Sequence, residues 1–139
     1  SMFAGLDARE PGTDVAKYYL EAWDGYPAER ERVAEALSAA ANPIVLSGDY
    51  HASFVLDVGP GFGHDVICPE VMATAISSSP FATDFTAANP HVKYFVGDNG
   101  YTKCTVTADG WRADYRSVAD IWDPASPLED VASFEFPAR

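Results

Sequence analysis

Positive charge is scarce in this chain: 9 Lys and Arg stand against 21 Asp and Glu in 139 residues, a formal net charge of −12. A phosphate backbone would be repelled by that field, which argues against a nucleic-acid partner. An acidic surface suits a protein that collects divalent cations. Apolar runs of membrane-spanning length are missing, and no charged-then-apolar leader opens the chain, so no membrane partner is expected. Ser1-Met2 has the look of a tag remnant. Cysteine is limited to Cys68 and Cys104. That is too few and too widely spaced for a cysteine zinc site. One disulfide between them is open, and two buried thiols are the favoured reading. The glycine-rich stretch Gly59-Pro60-Gly61-Phe62-Gly63 lacks the Lys-Ser/Thr that a phosphate-binding loop requires.

What is present is enough for one modest domain. An apolar content of 47% with 13% aromatics excludes the disordered class, and no repeat or second domain is visible. Residues 3 to 12 read as irregular. Thr13 or Asp14 could cap a short helix to about Ala22, with Val15, Tyr18 and Tyr19 on one side. A longer helix is expected from Pro27 to about Ala41, with Pro27 in its first turn and Val33 and Leu37 as its apolar ridge. The run Pro43-Ile44-Val45-Leu46 reads as a buried strand ending at Ser47-Gly48. Phe54, Leu56 and Val58 alternate, as in a strand or a short helix. Residues 66 to 76 read as a strand running into the polar Ser77-Ser78-Ser79 turn, and residues 81 to 88 as a weak helix or loop.

From His91 onward the pattern is a β meander, with strands at 91–96, 101–107, 111–119 and 131–136. Gly97-Asp98-Asn99-Gly100 and Ala108-Asp109-Gly110 carry the chemistry of tight hairpins. Trp111 and Tyr115 share one strand face. The expected class is α+β: N-terminal helices, one buried strand, then an antiparallel meander.

The chemistry centres on Gly48-Asp49-Tyr50-His51. A carboxylate and an imidazole just past a rigid strand end are well placed to bind a metal or move a proton. Ser77-Ser78-Ser79 lacks the strand–Ser–helix elbow of a nucleophile and reads as a polar turn. Lys93, Lys103, Arg112 and Arg116 are too scattered to form a phosphate clamp, and His64 reads as a solvated loop residue.

The order of segments is more specific than any one of them. Trp23-Asp24-Gly25-Tyr26-Pro27 with Arg30 is followed by Val45-Leu46-Ser47-Gly48-Asp49-Tyr50-His51-Ala52-Ser53. Then come Ile76-Ser77-Ser78, Asn89-Pro90-His91, Gly100-Tyr101, Cys104-Thr105-Val106-Thr107, Trp111-Arg112-Ala113-Asp114-Tyr115-Arg116 and Ala132-Ser133-Phe134. From Trp23 to Phe136 this series resembles the C-terminal part of the alkaline phosphatase D (PhoD) family of calcineurin-like metallophosphatases. The resemblance implies a two-sheet sandwich flanked by helices and hydrolysis of phosphate monoesters and diesters with iron and calcium. Asp49 would hold the calcium-type ion and His51 the iron. The ions would polarise the phosphoryl group and activate a hydroxide for in-line attack.

By the same resemblance His91 could assist near the phosphate, and an equal reading makes it a structural hydrogen bond. Trp23, Asp24 and Tyr26 could line the substrate mouth, against a reading as packing groups. Members of the family are usually exported. The family's other ligand motifs precede this region and have no counterpart before Trp23. The chain therefore reads as the last third or so of an enzyme, inactive by itself. The alternative is a stand-alone, non-catalytic homo-oligomer that buries an exposed sheet face.

Overall fold

Pro27 at a first helical turn starts the one α-helix among the described residues, α1 (Pro27–Ser38). Seven strands follow: β1 (Val45–Ser47), β2 (Ser53–Val58), β3 (Cys68–Met72), β4 (Val92–Val96), β5 (Asn99–Thr107), β6 (Gly110–Val118) and β7 (Leu128–Pro137). The computed structural model describes residues 2–10, 12–81 and 83–138. The class is α+β. The first sheet has the order β1-β3-β2-β4, with β1 parallel to β3 and the other pairs antiparallel; the second is the meander β5-β6-β7.

The alternation in residues 53–58 resolves as a central strand with both faces covered. Phe54, Leu56 and Val58 face a core that includes Met2, Phe3, Leu6 and Met72. Val55 faces the second sheet, where it joins Val71, Ala113 and Tyr115. Burying each such large side chain contributes on the order of 1.5–3 kcal/mol. Tyr115 also donates its hydroxyl to the Phe54 carbonyl at 2.6 Å, a bond between the two sheets. Burial pushes its phenol pKa upward.

Residues 2–8 have no regular structure, as the sequence suggested, yet Met2 to Ala8 are all buried. Glu70, in the middle of β3 and fully buried, holds them. Its carboxylate accepts from the Phe3 N–H at 2.9 Å and 3.1 Å, from the Ala4 N–H at 2.7 Å and from the Ser47 hydroxyl at 2.5 Å. A buried carboxylate is expensive unless it is well bonded, and here three donor groups satisfy it.

Several expected elements are different in the structure. No helix forms over residues 13–22, because tertiary bonds take its backbone: Ala8 N donates to the Lys17 carbonyl at 2.7 Å, and Lys17 N donates to Asp7 at 3.1 Å. β1 is not a buried strand. It lies at a sheet edge, and Leu46 is 54% exposed. α1 buries Arg30 and Ala34, whereas Val33 faces solvent, because the ion pair between Arg30 and Asp24 turns that side of the helix inward. Residues 97–100 do not close a hairpin; Gly97 and Asp98 carry the chain from one sheet to the other, and Asn99 and Gly100 already belong to β5. Ala108-Asp109 does close one, joining Thr107 to Gly110. Cys68 is buried and Cys104 exposed, each a thiol, so the second is not the buried thiol expected. His64 pairs with Glu31 at 2.8 Å.

Glu70→Ala would strand the buried Phe3 and Ala4 N–H groups and leave a cavity. It is expected to cost about 3 kcal/mol or more in urea unfolding. Burial raises the Glu70 pKa above 4.5, with the Ser47 hydroxyl and the two N–H groups pulling it partly back. A carboxyl raised on folding contributes most below its unfolded pKa, and that contribution is lost as pH rises through the folded value. The parent's stability advantage over Glu70→Gln should therefore shrink as pH rises from about 4.5 toward neutrality. An advantage that grows with pH would contradict this assignment.

Candidate metal-ligand site

β1 ends at Ser47, and the chain then turns through Gly48 into Asp49-Tyr50-His51. Asp49 has φ 76° and His51 φ 59°, both in the left-handed region. Such backbone costs on the order of 1 kcal/mol per residue and persists only where the surroundings enforce it. The enforcement is visible on both sides of the loop. Before it, Ala73 N donates to the Ser47 carbonyl at 3.0 Å; after it, Phe81 N donates to the His51 carbonyl at 2.8 Å. Between the two left-handed residues Tyr50 is an aromatic anchor. Its ring meets Phe81, Phe54 and Tyr19 edge-on at 5.0, 5.5 and 5.9 Å. Burial first, then the neighbouring Tyr19, pushes its phenol pKa up.

Asp49 and His51 thereby line one hollow of about 340 Å³, together with Glu21, Asp24, Leu6 and Phe81. His51 Nδ1 lies 3.0 Å from the Ser79 carbonyl. A carbonyl only accepts, so Nδ1 carries the proton and donates. In the neutral ring Nε2 then holds the lone pair, the arrangement usual for a histidine ligand. The loop therefore places a carboxylate residue and a histidine side by side in the lining of one hollow, residue types that fit the donor chemistry of a calcium-type ion and of iron. Among the described residues, no group of three or more His, Cys, Asp or Glu side chains converges as a metal site. The loop fits as part of a ligand set and does not by itself complete one.

The other expected site residues are distributed differently. Asp24 borders the hollow, but its carboxylate pairs with Arg30 and accepts from Leu6 N at 3.2 Å. Trp23 packs edge-on against Phe3 at 5.1 Å, and with the exposed Tyr26 it lines an adjacent shallow surface. His91 is 7% exposed, its Nε2 lies 2.9 Å from the Gly5 carbonyl, and it is not among the residues lining the hollow. Lys103, Arg112 and Arg116 do come together on the outer face of the second sheet, where Arg112 pairs with Asp114 and Arg116 with Asp130. Sequence reasoning missed Glu21, Glu70 and the Ser79 carbonyl. Glu70 left a signal, a lone carboxylate inside an apolar strand. A backbone carbonyl leaves none.

With this geometry in view the comparisons are decisive. The family model for PhoD-like phosphatase matches residues 1–115. This chain belongs to the PhoD-like phosphatase family. Alkaline phosphatase D of Bacillus subtilis (strain 168) is 34% identical over 138 residues, covering 90% of this chain and 24% of that protein. A solved structure of PhoD matches 99% of this chain and 28% of its own, with a TM-score of 0.84 and 32% identity. The chain thus spans about a quarter of the length of each of these relatives.

The left-handed backbone of Asp49 gives a direct test. Asp49→Gly relieves it and is expected to leave thermal stability equal or raised by up to about 1 kcal/mol, while Asp49→Ala lowers it by about as much. Equal losses in both variants would show that the aspartate side chain is itself structural.

Proposed function

We propose that this chain is the portion of a PhoD-like phosphoesterase that contributes Asp49 and His51 to a metal centre completed by residues outside it, and that it is inactive alone. The observation that carries this reading is the pair of left-handed residues, a carboxylate and a proton-fixed imidazole, lining one hollow in a chain that spans a quarter of its relatives. Iron at His51 and calcium at Asp49 would polarise the phosphoryl group of a phosphate monoester or diester. The chain's own part is to hold the two donors rigidly, to keep the His51 proton on Nδ1, and to wall one side of the hollow with Leu6 and Phe81. Asp24, Trp23 and Tyr26 border that hollow or the surface beside it and suit a substrate-mouth position. His91, turned onto Gly5, would act by bracing the N-terminal segment.

Hydrolysis of a monoester and a diester, assayed with iron and calcium, is expected to show no rate above a His51→Ala control for the chain alone. Replacing the matching segment of Bacillus subtilis alkaline phosphatase D with this chain should give an active chimera. Because loss of an outer-shell partner already costs about 10–100-fold, His51→Ala in that chimera should lower activity by at least about 100-fold. A metal-dependent rate in the chain alone, abolished by His51→Ala, would contradict the reading.

A second reading, self-association, is favoured by the apolar groups left in water. Val15 is 77% exposed, Leu20 69%, Ile76 77% and Trp122 85%. Contact with a second copy would take these side chains out of water. Sedimentation equilibrium is expected to show concentration-dependent association, and an ideal monomer across the range would exclude it.

A further inference from the structure

The link between the sheets and the start of β5, residues 97–100, grip the loop that follows β3. Asn99 Nδ2 donates to the Ala75 carbonyl at 3.1 Å and to the Ser78 carbonyl at 2.7 Å. Gly100 N donates to the same Ala75 carbonyl at 3.1 Å, and Thr74 Oγ1 donates to the Asp98 carbonyl at 2.7 Å. Asn99 is 6% exposed, and because both acceptors are carbonyls its amide NH₂, not its oxygen, must face them. This segment is itself immobilised. A Cβ on Gly100 would lie 1.9 Å from the Arg116 carbonyl, so β5 runs hard against β6 at this point.

The gripped loop is the one that orients His51. Ser79, next in the chain after the Ser78 held by Asn99, offers its carbonyl to His51 Nδ1 at 3.0 Å. Two residues on, Phe81 N holds the His51 carbonyl at 2.8 Å. Both the ring and the backbone of His51 are thus read out by a segment whose shape Asn99 sets.

We propose that Asn99 is a positioning residue for His51. By fixing the carbonyls of Ala75 and Ser78 it sets the Ser79 carbonyl against Nδ1, keeps the ring proton there and leaves the Nε2 lone pair for the hollow. It acts entirely through the loop and touches neither metal nor substrate. The proposal rests on the reading of His51 as a nitrogen donor. Its test uses the ring proton alone, so it stands or falls separately from metal binding and hydrolysis.

The test is nitrogen-detected NMR of the histidine rings in the 139-residue chain, at a pH where the rings are neutral. The parent is expected to hold His51 with its proton on Nδ1. Asn99→Asp keeps the size of the side chain but removes both donors and faces the two carbonyls with oxygen. In that variant His51 should move to the proton-on-Nε2 form that imidazole prefers in water. His91, whose ring is held by Gly5 elsewhere in the protein, should keep its signals and so report that the fold is intact. An unchanged His51 form in folded Asn99→Asp would overturn the proposal. If that variant does not fold, Asn99→Ser is read in the same way. A parent ring with its proton on Nε2 would overturn the proposal without any variant.

Discussion

The rest of the structure depends on one buried carboxylate. Glu70 sits fully buried in β3, at the middle of the first sheet, and spends its two oxygens on Phe3, Ala4 and Ser47. Residues 2–8 form no strand or helix of their own, so while their apolar side chains join the core, the backbone N–H groups of Phe3 and Ala4 depend on Glu70 for partners. With them, Met2 and Leu6 reach the hollow, Gly5 receives His91, and Ser47 is fixed immediately before the Gly48-Asp49-Tyr50-His51 turn. An unpaired charge at this depth would be strongly destabilising, so the carboxylate and its donors must form together.

From that anchor the geometry of the site follows by short steps. β1 is held beside β3 in parallel register, Val45 to Glu70 and Ser47 to Met72, so the chain leaving β1 and the chain leaving β3 emerge side by side. They go on exchanging hydrogen bonds beyond the strands, at Ser47 with Ala73 and at His51 with Phe81. This continued pairing can hold two residues in left-handed backbone, where an isolated loop would relax. Three non-glycine residues among those described have left-handed backbone, Asn42 before β1 and Asp49 and His51 in this loop, and the last two are the pair that line the hollow.

Much of this was legible in the sequence, and the parts that were not share a physical cause. The α1 helix, the alternation of β2 and the strands after residue 91 came from local periodicity and turn chemistry and formed, but the meander expected from His91 onward holds only β5-β6-β7, because β4 pairs with β2 in the first sheet. Asp49 and His51 stood out because they follow a strand end. The failures are places where a tertiary bond overrode a local preference. Asp7 and Ala8 captured Lys17 and cancelled a helix, and Arg30 took an inward position that an apolar ridge at Val33 had promised. The Gly97-Asp98-Asn99-Gly100 stretch served the link between the sheets and the start of β5 instead of a hairpin because its asparagine bonds to the loop at 75–78. Neither the Ser79 carbonyl nor the three donor groups on Glu70 could be read from residue identity, because they depend on which segments meet.

Among the described residues no third His, Cys, Asp or Glu side chain joins Asp49 and His51 in a cluster that could hold an ion, so under the proposed reading this loop supplies only part of a metal's ligand shell. Two ligands from one loop fall short of the six to eight oxygens that calcium takes, and even complete sites of modest design bind it only at about 10⁻⁴–10⁻³ M. Calorimetric titration of Ca²⁺ and Fe²⁺ into the 139-residue chain tests this most directly. Dissociation constants of about a millimolar or weaker are expected for both ions. Micromolar binding that disappears in Asp49→Ala or His51→Ala would show that the chain closes its own metal site.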